Sequence, residues 1–383
     1  MSIRIPNKGV FFIAVSQFGM AFSFHCILAF IPFYIVKVST FGPQETMIWI
    51  GMIMGSSNVV ASLTASFWGG LTSKFRPKLL FERGMLFNGV LILLMGFTGD
   101  LYLLLLLRIL QGAFGGVSTI GLVLISSLSS EERLQKDLSL FQNSITAGQL
   151  IGPLVGAYAA SSFGYRAPFV LAFIIVSIFI IFCHRYVSDI PAQKRESALG
   201  GTFKKGIIFG WALGLTATIH LTFLPSVLPK ILEDFQLVGD IALKSAGFII
   251  MSYTVASIVG NYLLSRLSSK IGLKKVITVA CLSGTLFQVL LILGQGVLSF
   301  MVIRMIQMGF IAAVFPLMFS IFARDVGGRM IGFLNSSRFI GGAMGPFMAT
   351  FVLAYSNLLT LYILIAGLTI SSLWAFLTST KEI

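Results

Sequence analysis

Acidic side chains are scarce in this chain of 383 residues, with 13 Asp and Glu against 27 Lys and Arg, and none lies deep in an apolar stretch. Glu82, Asp100, Asp137, Glu233, Asp234, Asp240 and Asp325 all fall at the ends of apolar runs or in connections. Cysteine is sparser still. Cys26, Cys183 and Cys281 lie far apart inside apolar runs, without CxxC or Cys/His spacing, which argues against a disulfide or metal centre and for small buried residues. No phosphate-binding GxxxxGK[ST] loop occurs, so ATP is not the evident energy source. No Ser/His/Asp set or metal-ligand cluster stands on a candidate extramembrane surface. The expectation is a protein that is not an enzyme, with no catalytic residues, no metal and no cofactor.

What the chain does have is apolar surface: 56% hydrophobic residues, 10% charged residues and a mean hydropathy of +0.95. Soluble domains carry roughly a quarter of their residues as charges, so this chain needs lipid as its solvent. A membrane helix takes about 20 apolar residues, which leaves room for roughly a dozen spans and little mass for a soluble domain. Apolar runs fall at about Gly9 to Val36, Met47 to Gly70, Leu79 to Phe97, Leu101 to Leu128, Leu138 to Ser162 and Pro168 to Cys183. They resume at about Gly206 to Leu232, Ser245 to Leu264, Val276 to Leu293, Val297 to Phe322, Ile331 to Ala354 and Leu359 to Leu377. Their length and the need to pair every backbone group in lipid require helices. The fold expected is an all-α membrane protein of twelve spans. The basic Met1 to Lys8 is followed by a run too long for a signal-peptide core of about 7 to 15 residues, so it reads as the start of the first span.

The net charge of +14 raises nucleic acid as a partner, but its placement argues for topology instead. Arg108, Arg304 and Arg338 lie inside runs, and only Lys37, Arg166, Lys230 and Lys244 fall in the connections of one side; the remaining Lys and Arg sit on the other. The positive-inside rule makes that richer side cytoplasmic, with both termini on it. The expectation is a multi-pass protein of the cytoplasmic (inner or plasma) membrane, monomeric, with the lipid bilayer and no nucleic acid as partner.

The two halves repeat. Arg108-Ile-Leu-Gln111 returns as Arg304-Met-Ile-Gln307, 196 positions later, and Lys74 maps onto Lys270 at the same offset. Gly148-x-x-x-Gly152-Pro153 returns as Gly341-x-x-x-Gly345-Pro346 with an offset of 193, which also carries Pro32 onto Pro225. These landmarks imply a duplicated six-helix unit, residues 1–187 and 206–383, joined by a polar cytoplasmic connector, 188–205. Repeated halves commonly hold a substrate site near the bilayer midplane and rock against each other.

Few ionisable groups lie within the runs, and a central Arg or Asp costs about 2.5 to 3.5 kcal/mol on insertion scales, so each suggests a cavity or pathway. His25 and His220 stand near the middle of the first and seventh runs, within a turn of matching positions. Imidazole exchanges protons near neutral pH; the alternative role is a hydrogen bond to a neighbouring helix. Gln17, Ala21, His25, Ala29 and Pro32 form a small or polar stripe suited to lining a cavity. Arg108 and Arg304 lie roughly 10 Å from the outer ends of their helices at about 1.5 Å per residue. Each has a Gln three positions on, Gln111 and Gln307, giving a donor-rich pair on one face. The alternative for both arginines is bonding to carbonyls at a kink. Arg338, nearer the cytoplasmic end of its run, can instead extend towards the interface. Guanidinium groups without local carboxylates favour an anionic or strongly polarised ligand. The Gly/Pro sets have packing as their first role, since small residues four apart admit close helices and Pro bends them.

These residues resemble the major facilitator superfamily over essentially the whole chain. Gly69 to Lys78 is similar to the family's loop motif between helices two and three, including Lys74, Arg76 and Lys78, and Ser265 to Lys275 is its second copy. Arg108 to Gly112 resembles the Arg-x-x-x-Gly motif of helix four, and Gly148 to Gly156 the helix-five motif of drug/proton antiporters. The resemblance implies twelve helices in two pseudo-symmetric bundles, with the helix-four Arg tied to proton movement or substrate contact. It departs at Ser73 and Ser269, where the family usually has the Asp that latches the cytoplasmic side. Glu131, Glu132 or Asp137 pairing with Lys74, Arg76 or Lys78 is the expected substitute. The function expected is proton-coupled efflux of a small amphipathic, anionic solute by alternating access. Import of an organic anion or metal chelate, a lipid flippase and a non-transporting sensor stay open as alternatives.

Overall fold

The computed structural model describes residues 8–130, 132–189, 206–323 and 328–379. Among these residues every regular element is helical. In chain order they are α1 (Lys8–Leu28), α2 (Ile31–Val38), α3 (Pro43–Leu71), α4 (Pro77–Met95), α5 (Leu101–Ala113), α6 (Val117–Leu128), α7 (Leu134–Phe163) and α8 (Ala167–Tyr186). They continue as α9 (Gly206–Thr222), α10 (Leu224–Asp234), α11 (Gly239–Ile271), α12 (Leu273–Leu290), α13 (Val297–Ile311), α14 (Val314–Ala323), α15 (Gly328–Tyr355) and α16 (Leu358–Ser379). A 3-10 turn, Leu291–Leu293, extends α12. Eight helical segments are long and apolar enough to cross a membrane, nine when α9 and α10, bent by 40°, count as one. The expected connector 188–205 lies outside the described residues from 190 on, as does Glu131.

Helices break where the chain supplies partners for the freed backbone. Pro32 and Pro225 are each the second residue after a break, where a missing N–H does no harm. Between α5 and α6, Gly116 adopts φ +81°, and a Cβ there would stand 2.6 Å from Trp68 Cβ, so glycine is required on both counts. Three carbonyls at this break find side-chain donors: Trp68 Nε1 donates to Ala113 O at 2.7 Å, Thr64 Oγ1 to Gly112 O at 3.1 Å and Asn88 Nδ2 to Phe114 O at 3.2 Å. In lipid such side-chain donors replace the water that would otherwise serve them.

The chain divides into two compact units. The first holds α1, α2, α3 from Val59 onwards, α4 to α8, and Gly239–Gly247 at the start of α11. Here α1 packs mainly on α7 and α8. Cβ atoms on Gly148 or Gly152 would meet the α1 backbone, Phe22 N at 2.6 Å and Phe22 O at 2.8 Å, and one on Gly156 would meet Cys26 O. Ser16 and Ser23 hydroxyls on another face donate to Phe179 O and Ala172 O of α8. Small residues and interhelical hydrogen bonds thus do what apolar burial cannot do among lipid tails.

The second unit holds Ser39–Asn58 with α9, α10, α11 from Phe248 onwards, and α12 to α16. The matching packing is α9 on α15 and α16. A Cβ on Gly341 would lie 2.7 Å from Leu215 O, and one on Gly345 would meet the Thr222 hydroxyl. Gly51 and Gly55 bring the first part of α3 against Pro346, Phe347 and Ala343, and Asn58 Nδ2 donates to Gly342 O at 3.1 Å.

Candidate functional site

In the second unit the break after α9 leaves the last carbonyls of that helix without intrahelical donors. Arg304 of α13, wholly buried, reaches the carbonyl of His220 with Nη2 at 2.5 Å and donates through Nη1 to Gln307 Oε1. Its guanidinium also lies over two rings, 4.9 Å from Phe223 and 5.0 Å from Tyr253. Because Arg304 holds Gln307 Oε1, the amide of Gln307 is turned so that Nε2 faces inward, within reach of Gln288 Oε1 and 2.9 Å from His220 Nδ1.

The tautomer of His220 follows from these bonds. Thr369 on α16 donates its hydroxyl to Ile365 O at 2.8 Å, so its oxygen, 2.9 Å from His220 Nε2, receives the ring N–H. Nδ1 is then the acceptor for Gln307 Nε2. Gln288 Oε1 stands 3.0 Å from Nδ1, the one contact the neutral ring does not need. His220, Gln288, Arg304 and Gln307 are all at 0% exposure, so this is a dry, filled cluster. Two nitrogens, Arg304 Nε and Gln288 Nε2, have no partner among the described residues.

The first unit builds from the same parts to a different end. Arg108 Nη1 donates to Gln111 Oε1 at 2.7 Å, both buried, and the guanidinium lies 5.4 Å from the Phe24 ring. Phe24 in turn meets the His25 ring edge-on at 5.3 Å. His25 Nδ1 lies 2.8 Å from Ala21 O, which can only accept, so Nδ1 carries the proton and Nε2 is left with a lone pair. The His25 side chain is half-buried rather than enclosed. Gln17 Nε2 donates to Ser118 Oγ of α6 at 2.7 Å, while its Oε1 is buried without a partner among the described residues.

Arg338 joins neither cluster: it is exposed, with its guanidinium 5.3 Å from the Phe315 ring. On the loop between α3 and α4, the expected pairing with Glu132 or Asp137 gives way to another. Arg76 pairs with Asp189, Lys78 donates to His184 O at 2.8 Å and lies 3.8 Å from Glu82, and Asp137 faces Arg133 and Ser129 instead. Asp189 comes near the loop once α8 packs on α4, a proximity invisible in sequence order, whereas Glu82 is one helical turn from Lys78 on α4 itself. Lys74 is in the turn after α3, and Lys270 ends α11 exposed. The Gly148, Gly152, Pro153 and Gly341, Gly345, Pro346 sets sit at helix contacts; Gly247 approaches Pro153 O as Gly51 approaches Pro346 O. Sequence reading missed Gln288, Thr369, Tyr253 and Tyr362 around Arg304. The available signal was a Gln in the middle of an otherwise apolar run.

A family model described as Major Facilitator Superfamily matches residues 13–230 and again 207–382. The chain belongs to the major facilitator superfamily. Multidrug resistance protein MdtG of Escherichia coli (strain K12 / DH10B) is 25% identical over 362 residues, covering 91% of this chain and 88% of the relative. MdtG of Klebsiella pneumoniae (strain 342) is 24% identical over 364 residues, covering 91% and 87%. Among solved structures, nucleoside transporter NupG superposes with a TM-score of 0.75 at 16% identity, covering 98% of this chain and all of that one. The human organic anion transporter MFSD10 (TETRAN) gives 0.70 at 14% identity, covering 97% and 100%. At such identities the structures speak for the fold. The chain is thus a multi-pass membrane transporter of this superfamily and not an enzyme.

Proposed function

We propose that this superfamily member is a secondary active transporter that exports a small amphipathic organic solute across the cytoplasmic membrane by alternating access, in exchange for protons. His25 carries the reading. Its Nδ1 is committed to Ala21 O, so Nε2 is a bare proton acceptor on a half-buried ring in the middle of α1. Arg108 and Gln111 stand one ring away, across Phe24, and supply donors for an anionic or strongly polarised group. His220 and Arg304 hold their helices in register rather than carry protons, because every bond of that ring is already satisfied inside protein.

Twelve spans follow if each pair of helices separated by a short break is one crossing: α1 with α2, α5 with α6, α9 with α10, and α13 with α14. The asymmetry of Lys and Arg then assigns both termini and the α3–α4 loop to the cytoplasm. Efflux and breadth of substrate lean on the MdtG relatives, which are named multidrug resistance proteins.

The test is transport in proteoliposomes under an imposed pH gradient, using a fluorescent amphipathic anion and a cation of the same size. The anion moves against the proton gradient in wild type. His25→Ala abolishes the response to the gradient, and Arg108→Ala lowers the rate by at least about tenfold, the loss expected when a charge-assisted contact worth roughly 1.5 to 3 kcal/mol is removed. Transport indifferent to the gradient would refute proton coupling, an unaffected His25→Ala would refute the carrier, and faster movement of the cation would reverse the assigned charge.

A further inference from the structure

Away from both clusters, the second unit contains a cavity of about 260 Å³ at the end of the helices where α10 stops, the 3-10 turn follows α12, and α13 and α16 begin. Its walls are mostly apolar and aromatic: Ile231 of α10 and Phe235 just after it, Leu291 and Ile292 of the turn, Phe300 of α13 and Leu358 beside them, with Gln295 as a neutral polar member. Phe235 and Phe300 meet at 5.9 Å and 66°, so one ring turns its edge to the other's face. Tyr362, Ile231, Leu291 and Phe300 are each 1% exposed and form its buried wall.

The only charged residue in this lining is Asp234. Lys230, one turn back on α10, holds its Oδ1 at 2.9 Å but is shared with Glu233 at 3.4 Å, so two carboxylates face one ammonium and the mouth keeps a net negative charge. A cation entering the cavity therefore meets an acid beside two aromatic rings.

We propose that this cavity binds a small organic cation with an aromatic or alkyl body. The carboxylate takes the charge, the Phe235 and Phe300 rings take a cation over their faces, and the aliphatic walls take the body. The volume is below the range of roughly 300 to 1,000 Å³ usual for drug-sized ligands, which limits the occupant to about one ring and a short amine. Binding here requires no transport and is measured without it.

Calorimetric titration of the purified full chain with benzyltrimethylammonium, and with 3-phenylpropionate as the ring of opposite charge, tests the site. Wild type binds the cation at one site in this cavity, while any 3-phenylpropionate that binds does so at Arg108 and is untouched by changes to the cavity. Asp234→Asn weakens cation binding by about tenfold, as expected for loss of one partly screened charge at contact distance. Ile292→Trp, at the exposed rim, blocks the cavity and removes binding. Glu45→Gln, exposed at the start of α3 and outside the lining, stays within about twofold because its charge is screened. Matching melting profiles show that each variant is folded. No cation binding by wild type, unchanged cation binding in Asp234→Asn or in Ile292→Trp, or anion binding that Ile292→Trp removes as fully as cation binding overturns the proposal.

Discussion

Each unit pairs an Arg with a Gln three residues on and sets a His-bearing helix beside them, yet His220 is enclosed by bonds at both ring nitrogens while His25 keeps one nitrogen open. Counted from the prolines that follow the helix breaks, Pro32 and Pro225, the residue in the place of His25 is Thr218, and His220 falls in the place of Ile27. Two residues along a helix turn a side chain through about 200°. The packing agrees: a Cβ on Gly152 would touch His25 Cβ at 3.1 Å, and one on Gly341 would touch Thr218 Cβ at 2.8 Å. His25 and Thr218 thus share the face turned to the glycine-rich helix, and His220 turns instead to α12, α13 and α16. Two histidines that look equivalent along the chain have therefore taken different work, one as an open acceptor and the other as the centre of a locked cluster.

That contrast breaks first in stability. His220→Ala takes one of its two bonds from Gln307 Nε2 and the ring donor from the Thr369 oxygen in a buried interior and leaves a void, so it lowers unfolding free energy by about 2 to 4 kcal/mol. His25→Ala removes a single bond within its own helix and a half-buried ring, and lowers it by less than about 1 kcal/mol. Denaturation of both variants in the same detergent, followed by tryptophan fluorescence, reads the difference. Equal losses would mean that the two rings do the same structural work.

The broad architecture was legible because lipid makes a single demand, paired backbone inside apolar runs, and the chain meets it with evenly spaced runs and a repeat. Pro32 and Pro225 served in the sequence as landmarks of the repeat, yet each stands just after a helix break inside a run read as one span. The clusters were only half legible. Arg304 and Gln307 share a helix face by spacing alone, but Gln288 and Thr369 come from α12 and α16 and acquire meaning only when those helices close around His220. The orientation of His25 was hidden for a related reason: a displacement that maps one landmark onto another need not hold to the residue on every helix, and a shift of two reverses the face.

A smaller effect sharpens the comparison at the glycine-rich helices. A methyl on Gly156 would strike the carbonyl of Cys26, which is backbone and cannot swing aside, whereas one on Gly345 would strike first the hydroxyl of Thr222. Gly156→Ala is expected to lose about 1 to 3 kcal/mol through overpacking, with Gly345→Ala at the low end of that range or below it because Thr222 can change rotamer. Thermal unfolding of the two alanine variants measures the gap, and the reverse order would place the tighter helix contact in the second unit.

The smallest effect is at the loop that joins α3 to α4. Arg76 and Asp189 have side chains 68% and 42% exposed, so water and salt screen their attraction, and breaking the pair with Arg76→Ala is worth less than about 1 kcal/mol. Lys78 and Glu82 are 13% and 15% exposed, and Lys78 also donates to His184 O, so its truncation removes a hydrogen bond as well as a charge. Lys78→Ala is therefore expected to exceed Arg76→Ala, and its effect to persist at about 1 M salt, where charges more than about 3 Å apart are screened but a contact hydrogen bond survives. A salt titration of both variants separates the two cases. If the loss from Lys78→Ala vanishes with salt as fully as that from Arg76→Ala, the anchoring of this loop is wholly electrostatic, and the short contact to His184 O adds nothing to it.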